Sequence, residues 1–463
     1  MDGWRKPLNN RLRFWGLLVA ILSLGAPGLA CNYPARVDET IARQEFQATL
    51  TALAPLAEAT VTPDPADLVP DPQPPSVGLP TVVPDTLLEN WLFHDSEVVY
   101  SPATVDFSVD NFIQQAGGYL STYREQVDGI ELSGAEIIQK VAVENSINPR
   151  LLLAVLEYRS GWVRGQPADP ARRDHPIGFY VPNYAGLYKE LVLTATQLGV
   201  GYYGWRDGTL AYLKHPDGSL YQVDPELNAG SAALQVLFSR LENRAAWQAA
   251  LLSPGEFLDL YRSMFGDPTV LAAGAEPVVP AGLSQPVLEL PFAPGERWSF
   301  TGGPHRSWNA GSPRGALDFS PANGEPACLA STAWVTASAA GRVARSSDEV
   351  VAVDLDGDGF EGTGWVLVYL HIPERERVPA GEWVEVDERI GHPSCEGGSS
   401  TGTHVHLARK YNGEWIPAEG GLPFVLSGWE VHGGIKSFEG YLVKGDQVIT
   451  ANPGGSRISI IVR

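Results

Sequence analysis

At Asp267-Pro268 the chain changes texture, and this change constrains the fold more than any other feature of the sequence. Before it, apolar residues recur at helical spacing. Ser133-Gly-Ala-Glu136 reads as a capping box ahead of Ile137, Ile138, Val141 and Ala142. Asn148-Pro149 opens a second helix through Leu156, with Asn as the cap and Pro in the first turn. Asn228 to Leu241 and Ser253 to Met264 predict two more. After the change, Ala272 to Pro286 is a small-residue and proline connector, and short alternating strands with glycine turns follow to the end. The 463 residues can build more than one core. The predicted organisation is a helical domain over 91–270, a connector over 271–287 and a β domain over 288–463. No internal repeat is present.

Upstream of these regions, Arg5, Lys6, Arg11 and Arg13 precede an uncharged apolar run from Phe14 to Ala26, then Pro27-Gly-Leu-Ala30-Cys31. A basic stretch, a short apolar stretch and a small-residue processing site make residues 1–30 an export signal. The run is shorter than the ~20 apolar residues that span a bilayer. Leu29-Ala30-Cys31 resembles a bacterial lipobox, although Gly28 stands where a large aliphatic residue is usual. The resemblance implies a lipid on Cys31 and anchorage to the cell membrane, facing the wall or the extracellular side. Ordinary secretion and an uncleaved anchor are the other readings, and all three export the protein. Residues 31–90 are rich in proline, with Pro63-Asp-Pro and Asp71-Pro-Gln-Pro-Pro. Such a stretch buries little apolar surface and is expected to be an extended linker.

Charge and cysteine content narrow the function classes. Lys and Arg number 33 against 54 Asp and Glu, a net charge of −21. A chain this acidic repels phosphate backbones, so no nucleic-acid partner is expected. Outside the cytosol, Cys328 and Cys395 read as a disulfide. Two thiolate zinc ligands are the weaker alternative, because neither cysteine sits in a CxxC or CxH arrangement.

In the helical region, Asn148-Pro-Arg-Leu-Leu-Leu-Ala-Val-Leu-Glu-Tyr-Arg-Ser-Gly-Trp162 resembles the catalytic-helix segment of soluble lytic transglycosylases, the lysozyme-like enzymes that cleave peptidoglycan glycan strands. That family needs a Glu directly before the Ser as general acid and base. Arg159 stands there, and Glu157 lies about 200° around the helix. The resemblance therefore implies a degenerate lysozyme-like domain without catalysis. Of Phe179, Tyr180, Tyr184, Tyr188, Tyr202, Tyr203 and Trp205 there are two readings, stacking on sugar rings or core packing, and the core is expected.

The β region carries the chemistry. Ser400-Thr-Gly-Thr-His404-Val-His406-Leu alternates as a strand, which puts His404 and His406 on one face. Trp365 to His371 is a second strand, with Trp365, Leu367, Tyr369 and His371 sharing a face and His371 at the end. Gly302-Gly-Pro-His305 lies ahead of Gly315-Ala-Leu-Asp318-Phe. Histidines and one carboxylate in this number supply three zinc ligands, leaving a fourth position open, and two spare bases.

From about Leu288 to Leu426 these pieces, with Thr336-Ala-Ser-Ala-Ala-Gly341-Arg-Val343 and Ile390-Gly391, resemble the lysostaphin/LytM-type zinc endopeptidases, which cut peptide cross-links in peptidoglycan. The resemblance implies a two-sheet antiparallel β fold. It also implies one zinc per chain held by Asp318 and His406, and His371 and His404 acting on substrate and water. The family's first ligand His lies four residues before the Asp, where this chain has Arg314. His305 replaces it if the turn-rich stretch 306–317 returns to the site from a tight bend at Gly302-Gly-Pro; a metal-free site is the alternative. The whole chain is thus expected to be multidomain: a helical lysozyme-like domain followed by an antiparallel two-sheet peptidase domain. The function expected is an exported zinc endopeptidase acting on peptidoglycan. A degenerate peptidase-like lipoprotein that binds wall or regulates another hydrolase is the second reading.

One further motif carries ligand-type residues. Asp354-Leu-Asp356-Gly-Asp358-Gly resembles the start of a Ca²⁺ loop, but position twelve is Trp365 in place of Glu, which rejects an EF-hand. A Ca²⁺-binding hairpin and a solvated acidic turn both remain. Nothing in the sequence speaks to oligomeric state.

Overall fold

Residues 93–182 and 184–463 are described by the computed structural model. The expected signal, Cys31 and the whole of the proline-rich linker lie outside them. Among the described residues no helix is long and apolar enough to cross a membrane.

The first part is helical. Its helices are α1 (Val109–Ala116), α2 (Gly134–Asn145), α3 (Pro149–Ser160), α4 (Ala171–Asp174), α5 (Leu187–Arg206), α6 (Ala229–Leu241), α7 (Arg244–Leu252), α8 (Phe257–Phe265) and α9 (Pro268–Ala272). Two short hairpins interrupt them, β1–β2 (Arg124–Val127, Ile130–Ser133) and β3–β4 (Tyr212–Lys214, Leu220–Gln222). The caps read from sequence are formed. Glu136 N donates to Ser133 Oγ and Ser133 N to Glu136 Oε2, closing the capping box of α2. Asn148 caps α3 through Arg150 N at 2.9 Å, and Asn228 caps α6. The helix expected from Ser253 begins only at Phe257, as α8. Gly255 adopts φ +84° and its N–H is taken by Asp259 Oδ2, so Ser253 to Glu256 is a turn ahead of the helix.

The strands that follow are β5 (Arg297–Arg306), β6 (Arg314–Pro321), β7 (Val335–Thr336), β8 (Gly341–Ser347), β9 (Val350–Asp354), β10 (Trp365–Leu370), β11 (Trp383–Val384), β12 (Arg389–Gly391), β13 (Val405–Tyr411), β14 (Glu414–Trp415), β15 (Val425–Leu426), β16 (Trp429–Gly433), β17 (Gly440–Lys444), β18 (Gln447–Thr450) and β19 (Ile460–Val462). In place of the expected two-sheet fold, one nine-stranded antiparallel sheet dominates. Its order is β11-β8-β9-β10-β13-β6-β5-β19, with β14 paired to β13. A four-stranded sheet, β15-β16-β17-β18, and the pair β7–β12 accompany it. Alternation along a strand shows which face each residue takes but not which strand lies beside it. Here β13 pairs with both β10 and β6, so one continuous sheet forms.

The two faces of that sheet are buried differently. Leu317, Val351, Leu367, Tyr369 and Leu407 pack into a core with Phe292, Phe424 and Trp429 of the β region. Ala316, Val350, Val366, Val368 and Ala408 pack instead into the core of the helical region. The second layer on that face is helical. Burying these apolar faces stabilises the contact between the two regions, at roughly 25 cal/mol per Å² removed from water. The loop 307–313 between β5 and β6 docks on the helices. Asn309 Nδ2 donates to Asn145 Oδ1 at 2.6 Å. Gly311 lies so close to α5 that a Cβ there would stand 2.3 Å from Thr196 O, and one on Gly199 would stand 2.8 Å from Gly311 O.

Candidate metal centre

Four neighbouring strands, β10, β13, β6 and β5, assemble the site. His406 on β13 is in register with Asp318 on β6, and Leu370 at the end of β10 is in register with His406. On the other side of β6, strand β5 carries His305. The tight bend expected at Gly302-Gly-Pro is instead a bulged continuation of β5, with register shifts from Gly302 through Arg306. The extra residues of a bulge re-aim the side chain that follows. The returning loop is thereby shortened to 307–313. Gly302 makes room for the carboxylate: a Cβ there would stand 2.4 Å from Asp318 Oδ2.

His371 reaches the site by another route. Strict alternation would place it with Leu367 and Tyr369, on the face opposite His406. It lies just past β10 with φ +69°, a left-handed conformation uncommon outside glycine, and this turns its ring toward His404. The two rings are 4.4 Å apart between centroids, and those of His371 and His406 are 6.3 Å apart. The expected sharing of a face with Leu367 is therefore corrected, and the ring lies instead beside those of His404 and His406.

Asp318 Oδ1 is the centre of the group. It lies 3.3 Å from His305 Nε2, 3.5 Å from His406 Nδ1 and 3.6 Å from His404 Nε2. His305, Asp318 and His406 are all buried, yet Asp318 Oδ1 has no hydrogen-bond partner. The reason lies in the outer ring nitrogens. His305 Nδ1 is held by Gly303 O at 2.8 Å, His406 Nε2 by Ser307 O at 3.1 Å, His371 Nδ1 by Glu396 O at 2.8 Å and His404 Nδ1 by Gly402 O at 2.7 Å. A carbonyl only accepts, so each of these nitrogens carries its proton outward. Every inner nitrogen is then a lone pair. His305 Nε2 and His406 Nδ1 face each other at 3.1 Å, with the unpaired carboxylate oxygen beside them.

Lone pairs this close repel unless a cation stands among them. Zinc bonds of about 2.0–2.1 Å in tetrahedral geometry separate neighbouring ligand atoms by roughly 3.3–3.4 Å, in the range seen here. The donor set, two imidazoles and one carboxylate, suits zinc. The groups also act on one another's charge: against the cost of burial, Asp318 raises His305. Burial raises the Asp318 carboxyl, but His305, His406 and His404 outweigh it and hold the group well below the ordinary carboxylate range. Burial, with His404 and His406 nearby, pushes His371 down to about 3. Burial also lowers His406.

Arg314 is not in the ligand set. Its guanidinium donates to Pro304 O, Gly434 O and Lys436 O at 3.0–3.2 Å. Phe438, which no sequence pattern singled out, stacks on His305 with ring centroids 4.2 Å apart. The four pinning carbonyls also escape sequence reading, since any residue supplies one. Cys328 and Cys395 form a disulfide, away from the ligand role considered for them. Cys328 N donates to Thr403 Oγ1 at 2.8 Å, directly before His404.

The acidic loop does come together, with carboxylates of Asp354, Asp356 and Asp358 near one another. Each accepts from its own loop: Gly359 N on Asp354, Asp358 N on Asp356, and Phe360 N on Asp358. These are the bonds of an acidic turn, and the Ca²⁺ reading gains nothing from them.

The central antiparallel sheet sets the HxH strand beside the Asp strand. Among named proteins the chain is similar to "Protease LasA" of Pseudomonas aeruginosa, 28% identical over 295 residues, which cover 59% of this chain and 65% of that one. The chain thus spans just under two thirds of the length of this relative. It is also similar to "Beta-lytic metalloendopeptidase" of Achromobacter lyticus, 31% identical over 166 residues, 34% of this chain and 40% of that one. Residues 91–278 match the family described as "LasA, N-terminal domain". Among solved structures, "A Novel M23 Metalloprotease Pseudoalterin from Deep-sea" aligns with a TM-score of 0.30 and 23% identity, covering 36% of this chain and 96% of that one.

Proposed function

We propose that the protein is an exported zinc metalloendopeptidase that hydrolyses peptide bonds in peptidoglycan cross-links or stem peptides. The observation that carries this reading is the convergence of His305 Nε2, His406 Nδ1 and the unpartnered Asp318 Oδ1, with their outer partners in place. These three residues would hold one zinc. Zinc bound there supplies Lewis acidity that polarises a peptide carbonyl and makes water nucleophilic near neutral pH.

The remaining work belongs to two imidazoles. Both present a lone pair inward at Nε2, so both begin as acceptors. His404 Nε2 lies 3.6 Å from Asp318 Oδ1, where a positive charge gained with the proton is stabilised. His404 is therefore assigned as the acceptor of the proton from water, and afterwards as its donor to the leaving amine. His371, pushed down to about 3, stays neutral and orients the water or substrate by accepting a hydrogen bond.

In the helical region we read no second active centre. The Arg159 guanidinium is tied to Ile177 O and Glu242. Glu157 accepts from Val163 N, Arg164 N and Arg164 Nε. Neither residue of the lysozyme-like motif offers a free carboxyl. Export and the lipid on Cys31 rest on the N-terminal sequence, contact with the wall rests on the resemblance of the β region, and the disulfide agrees with an oxidising compartment.

The test is the purified full chain and its His406→Ala variant, assayed for zinc and for hydrolysis of purified peptidoglycan. About one zinc per chain and amide cleavage are expected, both lost in the variant. Full activity in the variant overturns the mechanism, and a zinc-free wild type leaves the wall-binding or regulatory reading.

A further inference from the structure

Arg314 occupies the position where the resemblance called for a ligand, and it does something else. The loop between β16 and β17, residues 434–439, lies over the segment that carries His305. Gly303 N donates to Phe438 O at 2.9 Å, and Phe438 N to Pro304 O at 3.3 Å. The fit is close: a Cβ on Gly303 would stand 2.4 Å from Glu439 O. Phe438 sits at φ +70°, with its ring nearly parallel to that of His305. Arg314 spans the seam, with Nε on Pro304 O and Nη2 on both Gly434 O and Lys436 O. Glu419 accepts from Gly433 N at 2.9 Å and faces Arg314 Nη1 at 3.7 Å, bracing the same hairpin.

We infer that Arg314 is a positioning residue that ties the 434–439 loop to the Gly303–His305 segment, so that Phe438 forms one wall of the metal site and holds His305 in its ligand orientation. The inference rests on the proposed zinc site and goes beyond it. The links are short. Three carbonyl acceptors on two separate segments converge on one planar cation, which a guanidinium bridges and a single ammonium does not. The loop so held places Phe438 against His305. The same docking fixes Gly303, whose carbonyl sets the tautomer of His305. Outer partners of metal-bound imidazoles tune affinity by roughly 10–100-fold.

The experiment measures the zinc dissociation constant of the full chain by chelator competition, and the visible spectrum after cobalt substitution. Arg314→Ala is expected to weaken zinc about tenfold or more and to change the cobalt spectrum. Arg314→Lys is expected to recover part of the loss. Phe438→Ala should weaken zinc in the same direction, and the double variant should be no weaker than the worse single, because both act on one contact. Ile435→Ser, on the fully exposed tip of the loop, serves as the control and should leave the constant unchanged. If Arg314→Ala does not fold, Phe438→Ala and the cobalt spectrum still decide the matter. A wild-type constant and spectrum in Arg314→Ala or Phe438→Ala overturns the inference alone. A wild type that binds no zinc overturns the inference together with the functional reading beneath it.

Discussion

Glu190 in the helical region and Asp318 in the β region are both buried carboxylates, and they differ in what surrounds them. Glu190 Oε2 accepts from Ile177 N, Gly178 N and Phe179 N, while Oε1 meets His175 Nδ1 at 3.1 Å. The chain folds around that charge and satisfies it. Asp318 Oδ1 has three imidazole nitrogens within 3.6 Å, and two of them, on His305 and His404, are pinned by carbonyls so that their protons point away. His406 is fixed in the same sense by Ser307 O. A buried polar atom left without a partner costs about 1–3 kcal/mol. Four separately anchored rings around one unpaired oxygen are the arrangement on which the zinc proposal rests. Glu157, bound by two backbone amides and Arg164, belongs with Glu190.

Paired substitutions break this comparison most sharply. Asp318→Asn is expected to strip the chain of zinc with the fold retained, because the charge removed is that of a proposed ligand. Glu190→Gln is expected to cost about 1–3 kcal/mol in thermal or urea unfolding while zinc stays at one per chain. Zinc retained in the first variant, or lost from a folded second, would erase the distinction. A smaller effect separates ligands from proton carriers. His371→Gln should lower kcat by roughly 10²–10⁴-fold and leave zinc content untouched; a fall in zinc would move His371 into the ligand set.

The smallest effect concerns a satisfied carboxylate within the β region. Burial raises Glu361, but Arg345 and Lys410 outweigh it and hold the group down to about 2, below its ordinary 4.5. Between these values the unfolded chain binds the extra proton, so stability is lost as pH falls from 4.5 toward 2. Urea midpoints measured across that window should fall with pH in the wild type and flatten in Glu361→Gln. An unchanged slope in the variant would place the acid sensitivity elsewhere.

Much of the site can be read before folding is considered. Period-two spacing is enough to put His404 beside His406, and the Asp318 block and His371 follow from short local patterns. The direction of His371 is not local. It depends on a left-handed residue at the strand end, which nothing in Val368-Tyr-Leu-His371 announces. The approach of His305 depends on a bulge, and Gly302-Gly-Pro is equally compatible with a bend. Phe438 comes from a hairpin far downstream, with no motif to mark it. The same limit applies to the fold: capping residues located α2, α3 and α6 well, whereas the pairing of β13 with two partners is a long-range choice. The helical cover on one sheet face is visible only in the packing.

Gly199 and Gly311 sit opposite each other where helix α5 meets the loop ending at Pro313. Glycine within a helix costs about 1 kcal/mol relative to alanine, so its place in the middle of α5 has to be explained by what touches it. Ser307, whose carbonyl orients His406, is on the far arm of that same loop. The two glycines therefore form one unit of variation although more than a hundred positions of chain separate them. In an alignment of relatives that keep this contact, small residues should appear at both positions or at neither, and a change at one should be accompanied by a change at the other.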